Sequence, residues 1–309
     1  MNYKTLLPSR DFRLKILRLF DWVPDTLMVR FQYIIHFGGR ILHLRKPVRY
    51  TEKIQHYKCF YRNPIMGQCV DKYAVRDYIK SLGCEDNLIK LITSYNPGEN
   101  IDFDMLPDKF VIKTNDSGAS LGVLICRDKN TFDRDRAKEI INSWTNARSG
   151  HLPPGREWAY SQIKAQKIVV EEYLDNPESE TESPNDYKIM CFDGKVQYFW
   201  VETERTIGMK RNFFDRDCNP LDLKVIYDPN PNYQLPNRGI IKELFDFAEK
   251  LSAPFPHVRV DLYYTNKPIF GELTFYTDSG YGTFEPDSFD YELGSKFNID
   301  YKEYNLQKK

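Results

Sequence analysis

The chain has 309 residues and a mass of 36.6 kDa, enough for one large domain or two ordinary ones around a sizeable core. Its 44 Lys and Arg balance 44 Asp and Glu, which argues against a dedicated nucleic-acid binder, and 41% hydrophobic with 28% charged residues marks a globular rather than a disordered chain. The six cysteines form no C-x-x-C pair, no apolar run reaches the ~20 residues of a membrane span, and the N-terminus lacks a signal peptide's apolar core, so the expectation is a cytoplasmic protein with reduced thiols.

In chain order, residues 1–60 read as mostly helical, with Leu14, Leu17, Phe20, Phe31, Ile34, Ile35 and Leu42 on the apolar face. Residues 1–50 also carry an excess charge of +7, ten Lys and Arg against three Asp. That asymmetry suits peripheral contact with an anionic membrane or a lipid-linked sugar at its inner face, against the plainer reading of a solvated basic helix pair. His36 and His43 have no third ligand at metal spacing. Short β-branched and aromatic runs follow at 110–113, 122–126, 167–174, 188–192, 196–202, 258–264 and 269–275. Asp193-Gly194 predicts a tight hairpin turn, and Asn266-Lys267-Pro268 a second turn. Ala137, Ile141 and Trp144 mark one helix; Ile241, Leu244, Ala248 and Leu251 mark another, opened by Pro236-Asn237. Residues 175–185 form an acidic loop. The pattern is α+β with antiparallel hairpins.

The segment DKFVIKTNDSGASLGVLIC is a strand, a small polar loop and a second strand. Backbone N–H groups of small residues approach phosphates closely, and Lys113 at the loop mouth adds a point charge. The same residues spell G-x-S-x-G around Ser120, the nucleophile elbow of α/β-hydrolases. That elbow needs a helix directly after the turn, and a β-rich run follows instead. Downstream, VRVDLYYTNKPIFGELTF places Asp261 and Glu272 on neighbouring strands across a turn. Two hard oxygens plus phosphates suit Mg²⁺. Arg259 lies two residues from Asp261 and so shares its strand face. The plainer reading is a pair of solvated hairpin charges. KIVVEEYL is a strand running into a connection that could offer adenine its backbone N–H and C=O.

Taken in order, these pieces resemble the ATP-grasp superfamily, and within it the TupA-like branch associated with teichuronopeptide and other surface-polysaccharide biosynthesis. The stretches that carry the resemblance are KPVRYTEKIQHYKCFYRNP, DKYAVRDYI, LPDKFVIKTNDSGAS, VVEEYL, DYKIMCFDGKVQYFWVETER and RVDLYYTNKPIFGELTFY, from about residue 46 to 285. The resemblance implies a basic helical region over 1–60 and an ATP-grasp domain over 61–309. Within that domain, 106–174 would hold the flap and 175–309 the metal site. It implies phosphate contacts from Lys72 and Lys113, and a flap over the β- and γ-phosphates at Asn115–Ser120, with Ser117, Gly118, Ala119 and Ser120 as its contact residues. It also implies an adenine hinge at Glu171, Glu172, Tyr173 and Leu174, a ribose carboxylate at Glu178, and a phosphate-facing Lys188. Arg259 would stabilise the acyl-phosphate, with Asp261 and Glu272 as Mg²⁺ ligands. Two departures stand out. Thr274 replaces the Asn common two residues after the metal Glu, leaving Asp278 as a substitute ligand, and Asp116 puts an acid within the flap, near phosphate or turned outward.

The activity so implied is ATP-dependent carboxylate–amine ligation through an acyl-phosphate, joining an amino acid or similar amine to a uronic acid or peptide carboxylate. Tyr263, Tyr276, Tyr281 and Phe284 are candidates to stack on sugar rings, or else core aromatics. A glycosyltransferase of the same pathways is the alternative, but Asp102-Phe103-Asp104 and Asp215-Arg216-Asp217 read as loop residues rather than a strand-end D-x-D. A non-enzymatic nucleotide-binding module would not need Arg259.

Overall fold

The computed structural model describes residues 16–117, 122–146, 155–175, 184–204 and 208–299. Two antiparallel sheets carry the fold. The smaller runs β1–β4–β2–β3, from β1 (Leu91–Tyr95), β2 (Phe110–Thr114), β3 (Val123–Cys126) and β4 (Ile168–Glu172). The larger runs β7–β6–β5–β8–β9, from β5 (Asp186–Phe192), β6 (Lys195–Thr203), β7 (Lys210–Asp215), β8 (His257–Tyr264) and β9 (Pro268–Thr274).

Alternation along each strand sorts apolar from charged side chains. Phe110 and Ile112 of β2 join Ile168 and Val170 of β4 under helix α5 (Arg134–Asn146), which supplies Ala137 and Ile141. Lys113 points to the other face. In the larger sheet, Val258, Val260 and Leu262 belong to the main core with Ile241, Leu244 and Ala248 of α7 (Arg238–Ser252). Leu244 is fully buried and worth about 2–3 kcal/mol. Asn237 caps α7 by accepting the Ile240 N–H at 3.1 Å. The β5–β6 turn takes φ of 48° at Asp193 and 71° at Gly194, the left-handed pair that matches strand twist. A Cβ at Gly194 would sit 3.2 Å from Ala253 Cα, so the turn also packs on the end of α7.

Among the described residues up to 60, helix is broken between two segments. α1 (Asp25–His36) stops at Gly38 and Gly39, both at positive φ, and residues 37–49 are non-helical. Leu42 and Leu44 of that stretch pack with Val29 and Tyr33 of α1. α2 (Tyr50–Phe60) then begins on the buried Glu52, whose carboxylate accepts the Val48 and Arg49 N–H groups at 2.9 and 3.3 Å and His43 Nδ1 at 2.7 Å. Tyr50, Ile54 and Tyr57 of α2 enter the main core. Of the short helices α3 (Ile65–Val70), α4 (Val75–Ser81) and α6 (Trp158–Ser161), α3 packs against the other two and against β9, and α8 (Ser288–Lys296) packs on α2. All six cysteines are free, and no helix among the described residues is long and apolar enough to cross a membrane.

Candidate active site

The face of the larger sheet opposite α7 carries a ladder of charges. Arg259 donates twice to its strand neighbour Asp261, from Nε to Oδ1 at 2.6 Å and from Nη2 to Oδ2 at 2.7 Å. Lys188 of β5 lies opposite Asp261 in register and donates to Oδ2 at 2.7 Å, with Asp186 Oδ2 at 2.9 Å. Glu272 of β9 faces Asp261 across the next ladder; its Oε1 is 3.6 Å from Arg259 Nη2. Its Oε2 is 3.2 Å from Lys72 Nζ, which reaches in from the α3–α4 connection. Lys72 also donates to Ser117 O at 2.6 Å, just past β2. One side chain thus links the end of the small sheet to the carboxylate row of the large one.

The row extends to two residues that motif reasoning missed. Glu202 of β6 accepts Arg211 Nη2 of β7 at 2.6 Å and Trp200 Nε1 at 3.3 Å, and lies 3.8 Å from Lys188. The guanidinium carbons of Arg211 and Arg259 lie 5.3 and 5.4 Å from the Trp200 ring centre. Period 2 through KVQYFWVET was the available signal for Glu202; nothing in KRNFFD marked Arg211.

These neighbours set the charges. Burial works to lower the Lys188 pKa, but Asp186 and Asp261 outweigh it and hold it above its ordinary value. Arg259 is raised in the same way against burial, by Asp261, Glu272 and Asp278. Burial would raise Glu272, but Lys72, Lys188 and Arg259 together hold it well below the usual carboxylate range. Asp261 goes the other way: burial raises its pKa above the ordinary carboxylate value, against the opposing pull of Arg259 and Lys188. Lys188, Arg259 and Glu272 are therefore held as charges at neutral pH around it.

A second group sits on the small sheet. Lys113 Nζ lies 2.5 Å from Glu171 Oε2, and Arg76 Nη1 of α4 lies 3.3 Å from Glu171 Oε1. The buried Glu171 side chain is therefore a partner for Lys113 and Arg76. Glu172 is exposed, 3.2 Å from Lys90 Nζ, and its N–H already donates to Lys90 O at 3.0 Å, which removes one backbone donor expected for adenine. Tyr173 and Leu174 lie just past β4 and are half-buried. Asn115, where the expected flap begins, is fixed in place rather than part of a mobile cover. It is buried, donates to Asp71 Oδ2 at 2.8 Å and Ala165 O at 2.9 Å, and accepts the Lys167 N–H at 2.7 Å, so it locks the loop base. Ser117 ends the described part of the loop; Gly118, Ala119, Ser120 and Glu178 lie outside the described residues.

Several expectations need correction. Asp116 does not turn outward: it is buried, with Gln166 Nε2 at 3.3 Å. Thr274 serves as an acceptor for Arg259 Nη2 at 3.0 Å. Tyr276 is core, Phe284 packs on Tyr50 and Phe289, and Tyr281 stacks on His36 at 4.2 Å, so these three rings are already engaged. In line with the sequence reading, the G-x-S-x-G stretch lies between two paired antiparallel strands, β2 and β3, not before a helix as an elbow requires. Asp215 does end a strand, β7, but its carboxylate accepts the Asn219 N–H at 2.8 Å and Nδ2 at 2.9 Å, closing the turn.

Among the described residues no cluster of three or more His, Cys, Asp or Glu gathers around a point. The oxygen donors are the pair Asp261 and Glu272, opposite each other on one rung. A pair of hard carboxylates flanked by cations fits a Mg²⁺ ion shared with phosphates rather than a metal caged by protein alone. Both Asp261 oxygens already carry protein donors, whereas the Glu272 side chain is 32% exposed and held more loosely, so Glu272 is the more available of the two.

A family model described as TupA-like ATPgrasp matches residues 52–298. No curated protein matches the chain. Among solved structures, D-alanine--D-alanine ligase from Bacillus anthracis is similar at 18% identity and a TM-score of 0.43, over 72% of this chain and 63% of that one. The chain thus spans under two thirds of that ligase. The ATP-grasp ligase PsnB, complexed with precursor peptide PsnA2 and AMPPNP, is similar at 11% identity and a TM-score of 0.36, over 96% and 73%. The macrocyclase MdnC, bound with precursor peptide MdnA from Microcystis aeruginosa MRC, is similar at 11% and 0.36, over 89% and 69%.

Proposed function

Because the chain belongs to the TupA-like ATP-grasp family, we propose that it is an ATP-dependent carboxylate–amine ligase that forms an amide through an acyl-phosphate and releases ADP. The observation that supports it most is the charge ladder of Lys72, Lys188, Arg259, Asp261 and Glu272 on one sheet face. Such a ladder is a fixed electrostatic frame, suited to charge that moves during reaction.

In this reading Lys113 and Lys72 hold the β- and γ-phosphates, Lys188 adds positive potential beneath them, and β4 with its following connection receives the adenine. Glu272 and Asp261 would hold Mg²⁺, which neutralises phosphate charge when bound. An oxygen of the substrate carboxylate attacks the γ-phosphorus, the bond to the β-phosphate oxygen breaks, and ADP leaves. Arg259 faces the acyl-phosphate and then the oxyanion formed when the amine attacks the acyl carbon. Phosphate departs, the amine loses a proton, and the amide remains. Asp261 and Thr274 hold the Arg259 guanidinium from two sides, so its direction is set before substrate arrives.

The substrates we propose are a uronic acid or peptide carboxylate and an amino acid or related amine, in surface-polysaccharide assembly. The test is ADP release in the presence of ATP, Mg²⁺ and pools of such acids and amines, with the product identified by mass. Transfer of sugar from a nucleotide-sugar, with no use of ATP, would replace this reading with a glycosyltransferase.

A further inference from the structure

Large apolar side chains are exposed unevenly. Of 13 such residues among those described, nine lie between positions 19 and 48. Trp22 is 80% exposed, and Leu27 and Phe31 are each 57% exposed. Leu27, Phe31 and Ile34 fall at i, i+4 and i+7 on α1, one stripe of the helix. Its opposite side is already spent, because Val29 and Tyr33 are fully buried against Leu42 and Leu44. A helix that is apolar on both sides normally has both sides covered.

The stripe is firmly mounted. Arg156, itself buried, donates to Phe20 O at 2.6 Å, to Val23 O at 3.1 Å and to Asp25 Oδ1 at 3.1 Å. That clamp ties the turn before α1 to the body of the protein. It also neutralises Asp25, one of only two acids between positions 16 and 49. Six Lys and Arg occur there, of which Arg40 and Arg49 pair with Asp287 and Asp290 near α8. Arg45 and Lys46 are exposed in the stretch after α1, near the exposed Ile41 and Val48.

We propose that this surface seats the protein on an anionic lipid bilayer, with Trp22, Leu27, Phe31 and Ile34 entering the headgroup–acyl boundary and Arg45 and Lys46 among the headgroups. The charge decides the occupant. A second copy docking through the same patch would set cations against cations, whereas acidic headgroups complement them. Exposed apolar side chains, a tryptophan and exposed basic residues within one segment are what an interfacial surface needs. The inference does not depend on the ligase reading, and its test uses no nucleotide.

The full chain is mixed with vesicles of phosphatidylcholine alone, or of phosphatidylcholine with phosphatidylserine, at low and high salt, and co-sedimentation is measured. The expected result is binding to the phosphatidylserine vesicles that weakens with salt, and a blue shift in tryptophan emission that Trp22→Tyr removes. Neutralising Arg45 and Lys46 together to Ala should weaken binding about 30-fold. Phe31→Ser, at an exposed site where the melting temperature should not change, should weaken it about tenfold. No binding to acidic vesicles, or equal binding by all variants, overturns the proposal. So does a concentration-dependent dimer, broken by Phe31→Ser, in a protein that ignores vesicles.

Discussion

Lys72 Nζ lies 3.2 Å from Glu272 Oε2, although 200 residues separate the two in sequence. Because Lys72 also holds Ser117 O, the contact fixes where the end of β2 sits relative to the carboxylate row. Of the cations that keep Glu272 ionised against burial, this lysine attracts it most.

Lys72→Met should therefore let the Glu272 pKa rise toward the ordinary carboxylate value. The sign follows from linkage: a depressed folded-state pKa gives stability present above the unfolded value and lost as pH falls. Wild type should lose stability in acid more steeply than Lys72→Met, and the variant should need more ATP for half-maximal rate. Melting curves from neutral to acid pH check the first statement. Identical acid profiles would show that Lys72 does not govern Glu272.

Lys113→Ala should weaken ATP binding and also destabilise the fold by about 3 kcal/mol, because Glu171 is left buried with Arg76 alone. Lys113→Met with Glu171→Gln should recover much of the stability and none of the nucleotide affinity. Denaturant titration and calorimetry with ATP separate the two effects. Recovery of affinity in the double variant would remove Lys113 from the phosphate site.

Lys58 has no marker in the sequence, yet it is fully buried in α2, donating to Ser279 O at 2.5 Å and Gln55 Oε1 at 3.2 Å. Burial pushes its pKa down to about 8. Below about 8 both folded and unfolded states carry the proton and the burial penalty is in force; it is relieved as pH rises toward 10.5. Relative to Lys58→Met, wild type should gain roughly 3 kcal/mol between neutral pH and the unfolded lysine pKa. A pH-independent difference between the two proteins would contradict the assignment.

Gly294 of α8 lies against the chain that enters α2. A Cβ there would press on Val48 O and come within 2.8 Å of Tyr50 N. An exposed helical Gly→Ala change usually stabilises by about 1 kcal/mol. Gly294→Ala should instead destabilise by roughly 1–3 kcal/mol through overpacking against backbone. A raised melting temperature would mean that α2 and α8 are free to separate.

The sequence revealed the strands whose alternation is strong. Runs such as Val258, Val260 and Leu262 against Arg259 and Asp261 state both the strand and its polar face, and Asp193-Gly194 states the hairpin. β1 and β7 escaped notice for different reasons. Every residue of β1 is half-exposed, so no period shows. β7 opens on Lys210 and Arg211, charges that make sense only beside Glu202 on the neighbouring strand. The same limit hid the roles of Glu171 and Asn115: both lie within motifs, but their partners Arg76, Lys113, Asp71 and Lys167 are set by tertiary packing. The helical reading of residues 1–60 followed apolar spacing through Gly38 and Gly39, where the pair of glycines was the stop signal.

The central claim is acyl-phosphate chemistry at Arg259, and trapping the intermediate tests it most directly. Hydroxylamine is supplied with ATP, Mg²⁺ and candidate uronic acids or peptides, without amine substrate, and hydroxamate, ADP and phosphate are quantified together. The account predicts the three in equal amounts, with Arg259→Ala losing hydroxamate far more than it loses ATP affinity, because Arg259 meets charge that develops only during reaction. AMP and pyrophosphate as products, or ADP formed with no hydroxamate, would contradict it.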